Sequence, residues 1–373
     1  MIRVGITGQP GFVGTHLYHL LGTFPEEFER IPCEDSFFED EAKLRGFVRQ
    51  CDAIVHLAAM NRHPDPQVIY DTNVLLVQKL ISAMEAEKVA PHVLFSSSTQ
   101  EERGNPYGDS KKEGRRLLQE WADRSGGTFT GCVIPNVFGP YGRPNYNSVV
   151  ATFCHKLTHH ETPEIQIDGS IKLIYVGDLC QEFIRRIRAG KGLNPDPIPW
   201  TAERKVSELL SELTRFRELY FEQGIIPELP TQFDIQLFNT FCGYIDHETF
   251  YPFRLKKNTD ERGSFVETVK LDNIGGQISF STTAPGITRG NHYHTRKIER
   301  FAVIKGKARI EIRKIGTDKT LSFELDGDNP AFVDMPVWYT HNITNIGTDC
   351  LYTIFWINEF YNPSDPDTFF EKV

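Results

Sequence analysis

The stretch "IRVGITGQPGFVGTHLYHLLG", residues 2–22, constrains this chain more than any other. Residues 2–7 are an apolar, β-branched run that ends at Gly8, and Gly11 and Gly14 follow. Phe12, Val13, Leu17, Leu20 and Leu21 then recur at helical spacing as far as Gly22. Strand, glycine turn and helix in that order open a βαβ unit. Unsatisfied N–H groups and the helix dipole at such a turn both favour an anion. Gly8, Gly11, Phe12, Val13 and Gly14 are therefore the candidate hold on a dinucleotide pyrophosphate. An ordinary tight turn would use the same glycines; the strand before and the helix after favour binding.

The alternation continues through "AIVHLAA" (53–59), a helix near 71–88, "HVLFSSS" (92–98), a helix near 108–123 and "TGCVIPNVF" (130–138). Short buried-looking strands separated by helices predict a doubly wound parallel sheet covered on both faces, an α/β domain. The texture changes near residue 225. "IIPELPTQF" reads as a connector, and from residue 252 short alternating runs follow without helices, the pattern of an all-β sandwich or barrel. The expected division is residues 1–245 and 246–373, which suits 373 residues on a prior of ~100–200 per domain.

A net charge of −9 argues against nucleic-acid binding and against a basic membrane-binding face, so an anionic ligand needs a local site. Residues 2–8 lack the basic and long apolar regions of a signal peptide, and the seven scattered cysteines form no CxxC pair. These features predict a reduced, cytoplasmic protein. His155 with His159, and His16 with His19, read as solvated helix faces.

Two groups of residues carry chemistry. In "SSSTQEERGNPYGDSK", Tyr107 and Lys111 are four apart and share a helix face, where an ammonium would lower the phenol pKa. A serine at the preceding strand end could hold a reacting carbonyl oxygen. In "GITRGNHYHTRKIERFAVIKG", His292 and His294 share a strand face, Glu299 follows, and His341 lies further on in "PVWYTHNITN". Three imidazoles and a carboxylate suit zinc, with iron, manganese and nickel as the other fits. An exposed polar strand face would explain one His-x-His pair, but not the glutamate and the distal histidine as well.

The ordered set TGxxGFVG, "HLAA", "SSS" before YxxxK, "PNVFGP" and "YVGDL" resembles the extended short-chain dehydrogenase/reductases acting on nucleotide sugars, over residues 1–240. The resemblance implies a Rossmann-type fold with Ser98, Tyr107 and Lys111 as the catalytic trio. It implies His56, Ala58, Asn73 and Lys111 at the cofactor, and Asn136, Asn145 and Asn147 at the substrate. Where the family often has an arginine before "PNVFGP", this chain has Val133, so a phosphate or structural contact is lost or supplied elsewhere. The end of the second strand offers Glu34 and Asp35, which would suit NAD, and Arg30, which would suit NADP. Strand register decides between them, and resemblance favours NADPH with Arg30.

Gly286, His292, His294, Glu299 and Gly306 match the first cupin motif without a gap. The second motif is met by Pro336, His341 and Asn345, with Trp338 in place of the usual glycine. "TDERGSFVE" (259–267) is similar to the opening of the cupin-like deoxysugar epimerases of the rhamnose pathway, and its Arg262 is the candidate for a nucleotide diphosphate. A metal beside a 4-keto sugar would polarise the carbonyl and stabilise an enolate. Tyr339 is the candidate proton carrier, with packing at the barrel mouth as its plainer role.

Reductase followed by metal cupin resembles the bifunctional enzymes of capsular polysaccharide synthesis. The resemblance implies a UDP-2-acetamido-2,6-dideoxy-4-hexulose epimerised at carbon 3 and reduced at carbon 4 to UDP-2-acetamido-2,6-dideoxy-L-talose, by a homodimer. The rival readings are an iron dioxygenase cupin, a non-catalytic sugar-nucleotide sensor, and an epimerase with a vestigial reductase half.

Overall fold

The computed structural model describes residues 1–260, 263–266, 268–272, 276–359 and 362–373. They form two compact units: Met1–Ser148 with Gly169–Lys205, and Val149–Asp168 with Val206–Val373.

The first unit is built on a parallel sheet of β1 (Ile2–Thr7), β2 (Phe28–Ile31), β3 (Ala53–His56), β4 (His92–Ser98), β5 (Phe129–Ile134) and β8 (Leu193–Pro197). The strand order is β2-β1-β3-β4-β5-β8. β3 is buried along its whole length, as a strand covered on both faces must be. The "TGCVIPNVF" run is broken at Pro135, and its second part, β6 (Asn136–Phe138), joins a small sheet with β7 (Ser170–Tyr175) and β9 (Ala202–Lys205). Helices α1 (Phe12–Gly22), α2 (Glu41–Val48), α3 (Pro66–Glu87), α4 (Pro106–Ser125) and α5 (Val176–Ala189) complete the unit. α3 starts before the expected residue 71 because Asp65 accepts from the Gln67 N–H and Pro66 occupies the first turn. α4 starts the same way, with Asn105 accepting from Gly108 N at 2.8 Å ahead of Pro106. His16 on α1 is not solvated: it is buried, with Nε2 3.0 Å from the Pro140 carbonyl.

The second unit holds two five-stranded antiparallel sheets, the arrangement of a cupin-like barrel. Its strands are β10 (Phe253–Arg254), β11 (Gln277–Thr283), β12 (Thr288–Tyr293), β13 (Glu299–Lys305), β14 (Lys307–Lys314), β15 (Thr320–Asp326), β16 (Ala331–Met335), β17 (Tyr339–Asn345), β18 (Leu351–Ile357) and β19 (Phe369–Phe370). The sheet orders are β10-β16-β13-β18-β11 and β15-β14-β17-β12-β19. Ala302, Phe332 and Val333 of one sheet pack with Ile310, Ile312 and Ile343 of the other in a dry core.

Residues 206–245, read from sequence with the first domain, pack within the second unit. The cause is a buried polar cluster. Arg300 forms a two-bond ion pair with Asp334 at 2.9 Å and donates to the Gly224 carbonyl at 2.6 Å. Asp334 also accepts from the Tyr220 hydroxyl, which lies 2.9 Å from that of Tyr251. A guanidinium and a carboxylate this deep are tolerated only with their hydrogen bonds complete, and Tyr220 and Gly224 supply the missing ones. Asn239 donates to the Arg296 carbonyl at 2.9 Å, a further tie between this helical stretch and the barrel strands. Among the described residues no helix is long and apolar enough to cross a membrane.

Candidate active site and metal centre

The first site lies where the strand order reverses, between the carboxyl ends of β1 and β3. Gly8 holds φ +68°, and a Cβ there would stand 2.8 Å from the Ala58 amide nitrogen, so only glycine allows the turn to approach the "HLAA" segment. Gly11 caps α1 with no side chain bonded to the first turn, which leaves the N–H groups around Phe12 and Val13 available to a pyrophosphate. Gly14 lets that turn close, since a Cβ there would meet the Gly8 carbonyl at 2.5 Å. The turn fits the nicotinamide dinucleotide that the sequence implies.

The neighbouring residues divide into those that face this crevice and those that support it. His56 belongs to the core: it is buried, its Nδ1 lies 2.6 Å from the Thr7 hydroxyl, and its ring stacks on Phe95. Burial pushes its pKa down to about 3, so it is neutral. Asn73 holds the loop after β3 to α4. Its amide exchanges two hydrogen bonds with the Met60 backbone, at 2.7 and 3.0 Å, and donates to the Ser110 hydroxyl at 3.0 Å. Ser110 in turn donates to the Tyr107 carbonyl at 2.7 Å. Ser110 was not singled out from sequence, although it lies inside the "YGDSK" motif.

Ser98 ends β4 and Tyr107 opens α4. Gly108 makes the short connection possible, because a Cβ there would strike the Gln100 carbonyl at 2.1 Å. Ser98 Oγ accepts from the Gln100 N–H at 3.2 Å. The buried Glu101 receives Ser97 Oγ and a two-bond pair from Arg115 at 2.7 and 3.0 Å, tying the serine strand to α4. Lys111 is buried with its ammonium 4.9 Å from the Phe95 ring centroid and 5.7 Å from that of Tyr107. Burial pushes its pKa down to about 8, against the opposing charge of Glu101.

One sequence expectation is corrected here. The Tyr107 phenol is pushed up to about 12, by burial first and Tyr146 second, rather than down by Lys111. Both causes act in the same direction, and the hydroxyl stays protonated at neutral pH.

Arg30 is also placed differently. It pairs with Val4 in register, so the residue level with Thr7 at the sheet's carboxyl end is Cys33, followed by Glu34 and Asp35. Its guanidinium lies 4.2 Å from the Tyr18 ring centroid and donates to the Tyr18 carbonyl, along α1 and away from the glycine turn. Asn145 and Asn147 gather at Arg62, whereas Asn136 lies apart, on the small sheet, donating to the Lys172 carbonyl at 3.2 Å. Arg262 lies outside the described residues.

The second site lies in the barrel. His292 on β12 is paired directly with His341 on β17, His294 follows β12, and Glu299 starts β13 of the other sheet. A bulge between Gly290 and His292 sets the aim of the histidines. Gly290 holds φ +100°, and a Cβ there would lie 2.8 Å from the His341 carbonyl. One ligand atom from each of the four residues lies within 4.8 Å of the others. Glu299 Oε2 is 3.2 Å from His294 Nε2, 3.0 Å from His341 Nε2 and 4.0 Å from His292 Nε2.

These approaches are close but miss hydrogen-bond geometry. His294 Nε2, His341 Nε2 and Glu299 Oε2 are buried with no hydrogen-bond partner. Buried polar atoms left so are costly unless something lies between them. The opposite ring nitrogens do have partners: His294 Nδ1 meets the Asp367 carbonyl and His341 Nδ1 the Tyr339 carbonyl at 3.3 Å. A neutral imidazole donating from Nδ1 to such a carbonyl would turn its Nε2 lone pair inward, the second-sphere arrangement of a metal centre. Burial and the neighbouring His341 and His294 push His292 down to about 4, so this ring is neutral and able to coordinate. The donor set fits a divalent metal ion.

Sequence reasoning missed Asp367. Its carboxylate accepts from the Thr295, Arg296 and Lys297 N–H groups at 3.0–3.2 Å, which fixes the turn between His294 and Glu299. The "NPSDPDTFF" tail was its available signal. Trp338 takes the left-handed φ of +63° that a glycine would supply, held by its N–H to the His294 carbonyl at 2.8 Å and by stacking on Tyr293. The turn keeps its shape despite the departure from the cupin motif. The Tyr339 ring packs edge-on against His247 at 5.3 Å, and burial pushes its pKa up to about 12.

Residues 4–196 match the NAD dependent epimerase/dehydratase family, and residues 258–369 match the polysaccharide biosynthesis C-terminal domain. The chain belongs to the NAD dependent epimerase/dehydratase family, in its CapF-like branch of UDP-sugar reductases and epimerases that carry this second domain. It is 34% identical to the UDP-2-acetamido-2,6-beta-L-arabino-hexul-4-ose reductase of Pseudomonas aeruginosa, over 99% of this chain and 98% of that one. It is similar over the full length of both chains to the capsular polysaccharide assembling protein CapF of Staphylococcus aureus, with 33% identity and a TM-score of 0.64. A structure of RMD from Pseudomonas aeruginosa complexed with NADPH shares the fold, with 22% identity, a TM-score of 0.53, and cover of 58% of this chain and 83% of that one.

Proposed function

We propose that the chain converts a UDP-2-acetamido-2,6-dideoxy-4-hexulose in two steps, with the barrel epimerising carbon 3 and the reductase site reducing carbon 4 to give UDP-2-acetamido-2,6-dideoxy-L-talose. The observation that carries the two-step reading is the pair of centres on one chain: a protonated phenol near a buried lysine, and four converging ligand residues, three of them with a buried atom that has no hydrogen-bond partner. The full-length relative named as a hexulose reductase supports the substrate class.

In the reduction, bound NADPH supplies the hydride to carbon 4. Tyr107 gives its proton to the carbonyl oxygen, Ser98 orients that oxygen, and Lys111 tunes the phenol and binds the cofactor ribose. A phenol raised to about 12 is protonated at neutral pH, as the donor of a reduction must be. NADPH is assigned on family resemblance and not on Arg30.

In the barrel, a metal ion held by His292, His294, Glu299 and His341 supplies Lewis acidity at the ketone, and zinc is our assignment. Tyr339 is the candidate to carry the proton between carbon 3 and solvent. We keep 1–245 and 246–373 as the division of chemistry, although residues 206–245 pack with the barrel. A homodimer in the cytoplasm, with no nucleic-acid or membrane partner, completes the reading.

The test mixes purified protein, NADPH and a 4-keto-6-deoxy UDP-HexNAc in deuterated water. Absorbance loss reports reduction and NMR reports deuterium entry at carbon 3. Exchange that survives His292→Ala with His294→Ala removes the barrel from the reaction. Oxygen uptake with bound iron would favour the dioxygenase reading instead.

A further inference from the structure

Most arginines of this acidic chain are paired with carboxylates, among them Arg115 with Glu101, Arg186 with Asp196 and Arg300 with Asp334. Arg62 and Arg143 are not so paired among the described residues, and both turn to one aromatic ring. The Arg62 guanidinium is 5.4 Å from the Tyr146 ring centroid and the Arg143 guanidinium is 5.1 Å from it. Arg62 is further fixed by Nε to Asn147 Oδ1 at 3.1 Å and Nη1 to the Asn145 carbonyl at 3.3 Å. Asn145 holds a left-handed φ of +55° in that loop, which asparagine tolerates better than most residues.

Two like charges brought to one ring repel each other, and without an acid beside them the arrangement gains most when an anion joins it. Both side chains are exposed, so a ligand can reach them. The cluster also neighbours the catalytic helix, because Tyr146 acts electrostatically on Tyr107.

We propose that Arg62 and Arg143, set by Tyr146, Asn145 and Asn147, form the clamp that holds the diphosphate of the nucleoside-diphosphate sugar beside Tyr107. This rests on the UDP-sugar reading above and deepens it. Guanidinium groups pair bidentately with phosphate oxygens, and Arg62 Nη2 has no protein partner among the described residues. The cofactor's own pyrophosphate belongs to the glycine turn, so the two diphosphates would have separate holds.

Titration calorimetry of the full chain with UDP, uridine and NADPH tests the clamp, using Arg62→Gln, Arg143→Gln and the double variant. Each single change should weaken UDP about tenfold, the scale of one charge-assisted contact, and the double change by about a hundredfold. Uridine and NADPH should bind each variant as they bind the unaltered chain. A double variant that binds UDP normally overturns the clamp, as does one that loses NADPH instead. If the unaltered chain prefers GDP or dTDP and the variants lose that ligand, the clamp stands and the UDP reading falls. If it binds no nucleoside diphosphate and no pyrophosphate at millimolar concentration, the clamp is overturned. The exposed positions leave folding intact, and circular dichroism of each variant verifies it.

Discussion

Ser98, Tyr107 and Lys111 lie close together in the chain and are fixed by bonds within the same stretch: Asn105 to Gly108, Ser110 to Tyr107, and Glu101 to Ser97 and Arg115. The barrel centre draws His292, His294 and His341 from one side and Glu299 from the other, and the tail residue Asp367 holds the turn between them. His294 Nε2, His341 Nε2 and Glu299 Oε2 are left there without hydrogen bonds. One centre is closed by hydrogen bonds within the fold, and the other gathers side chains that would suit a metal ion. Hydride and proton transfer demands a phenol already aligned and protonated. The enolisation proposed for the barrel would instead need coordinating lone pairs kept free for a metal.

The largest effect should come from separating the two. Tyr107→Phe is expected to lower cofactor oxidation by about a thousandfold, within the usual range for a lost general acid. Deuterium entry at carbon 3 should continue at its original rate in that variant, as followed by NMR. Loss of both signals together would mean one site performs both steps.

Metal removal probes the unfinished centre. Chelation followed by dialysis should abolish exchange and lower the melting temperature of the barrel, because an ion that binds only the folded state stabilises it. Cofactor affinity should stay within about twofold, since the glycine turn is complete without the ion. Calorimetric melting that is indifferent to zinc would sink the metal assignment.

Asp334→Asn strikes the buried cluster between Tyr220, Gly224 and Arg300. Leaving Arg300 buried without its counter-charge should cost about 3–5 kcal/mol in denaturant unfolding. The loss should appear in the unfolding of residues 206–250 together with the barrel strands, read by hydrogen exchange. Independent unfolding of that helical stretch would restore a boundary near residue 245.

That boundary shows where sequence reading reached its limit. The parallel sheet was legible because each of its buried strands is a short apolar run, and the candidate residues Tyr107 with Lys111 and His292 with His294 and Glu299 stood out because they sit at fixed local spacings. The packing of residues 206–245 was not, since Tyr220, Asp334 and Arg300 are far apart in the chain and none carries a periodic signal. Asp367 was hidden for the same reason. Asn73 was placed near the cofactor from its motif, but its amide turned out to bond Met60 and Ser110, a geometry that no spacing encodes. Tyr107 was misjudged in sign, because burial cannot be read beside a lysine four residues away.

The reductase centre also predicts a pH response. Burial lowers the Lys111 ammonium to about 8, and the nearby charge of Glu101 opposes that drop. Reduction that needs the ammonium should therefore decline above about pH 8. His56, the other titratable ring near Lys111, is neutral across this range and contributes no step. Glu101→Gln removes the supporting negative charge, so the decline should begin at lower pH. A pH profile of kcat/KM that keeps its alkaline limb in place would show that Glu101 acts only as a brace.

The smallest effect concerns Arg30, where sequence and structure disagree most directly. In register with Val4, it lies short of the strand end that faces a dinucleotide ribose, and its guanidinium is occupied by the Tyr18 ring and carbonyl. Arg30→Gln should therefore change the KM for NADPH by no more than about twofold, because a cation–π contact at an exposed site contributes only ~0.5–1 kcal/mol and acts here on α1. Glu34 and Asp35, which do follow the strand end, are the groups whose replacement should alter discrimination between NADPH and NADH. A tenfold rise in the NADPH KM of the Arg30 variant, with the NADH KM unchanged, would mean that Arg30 leaves Tyr18 and swings to the 2′-phosphate when the cofactor binds.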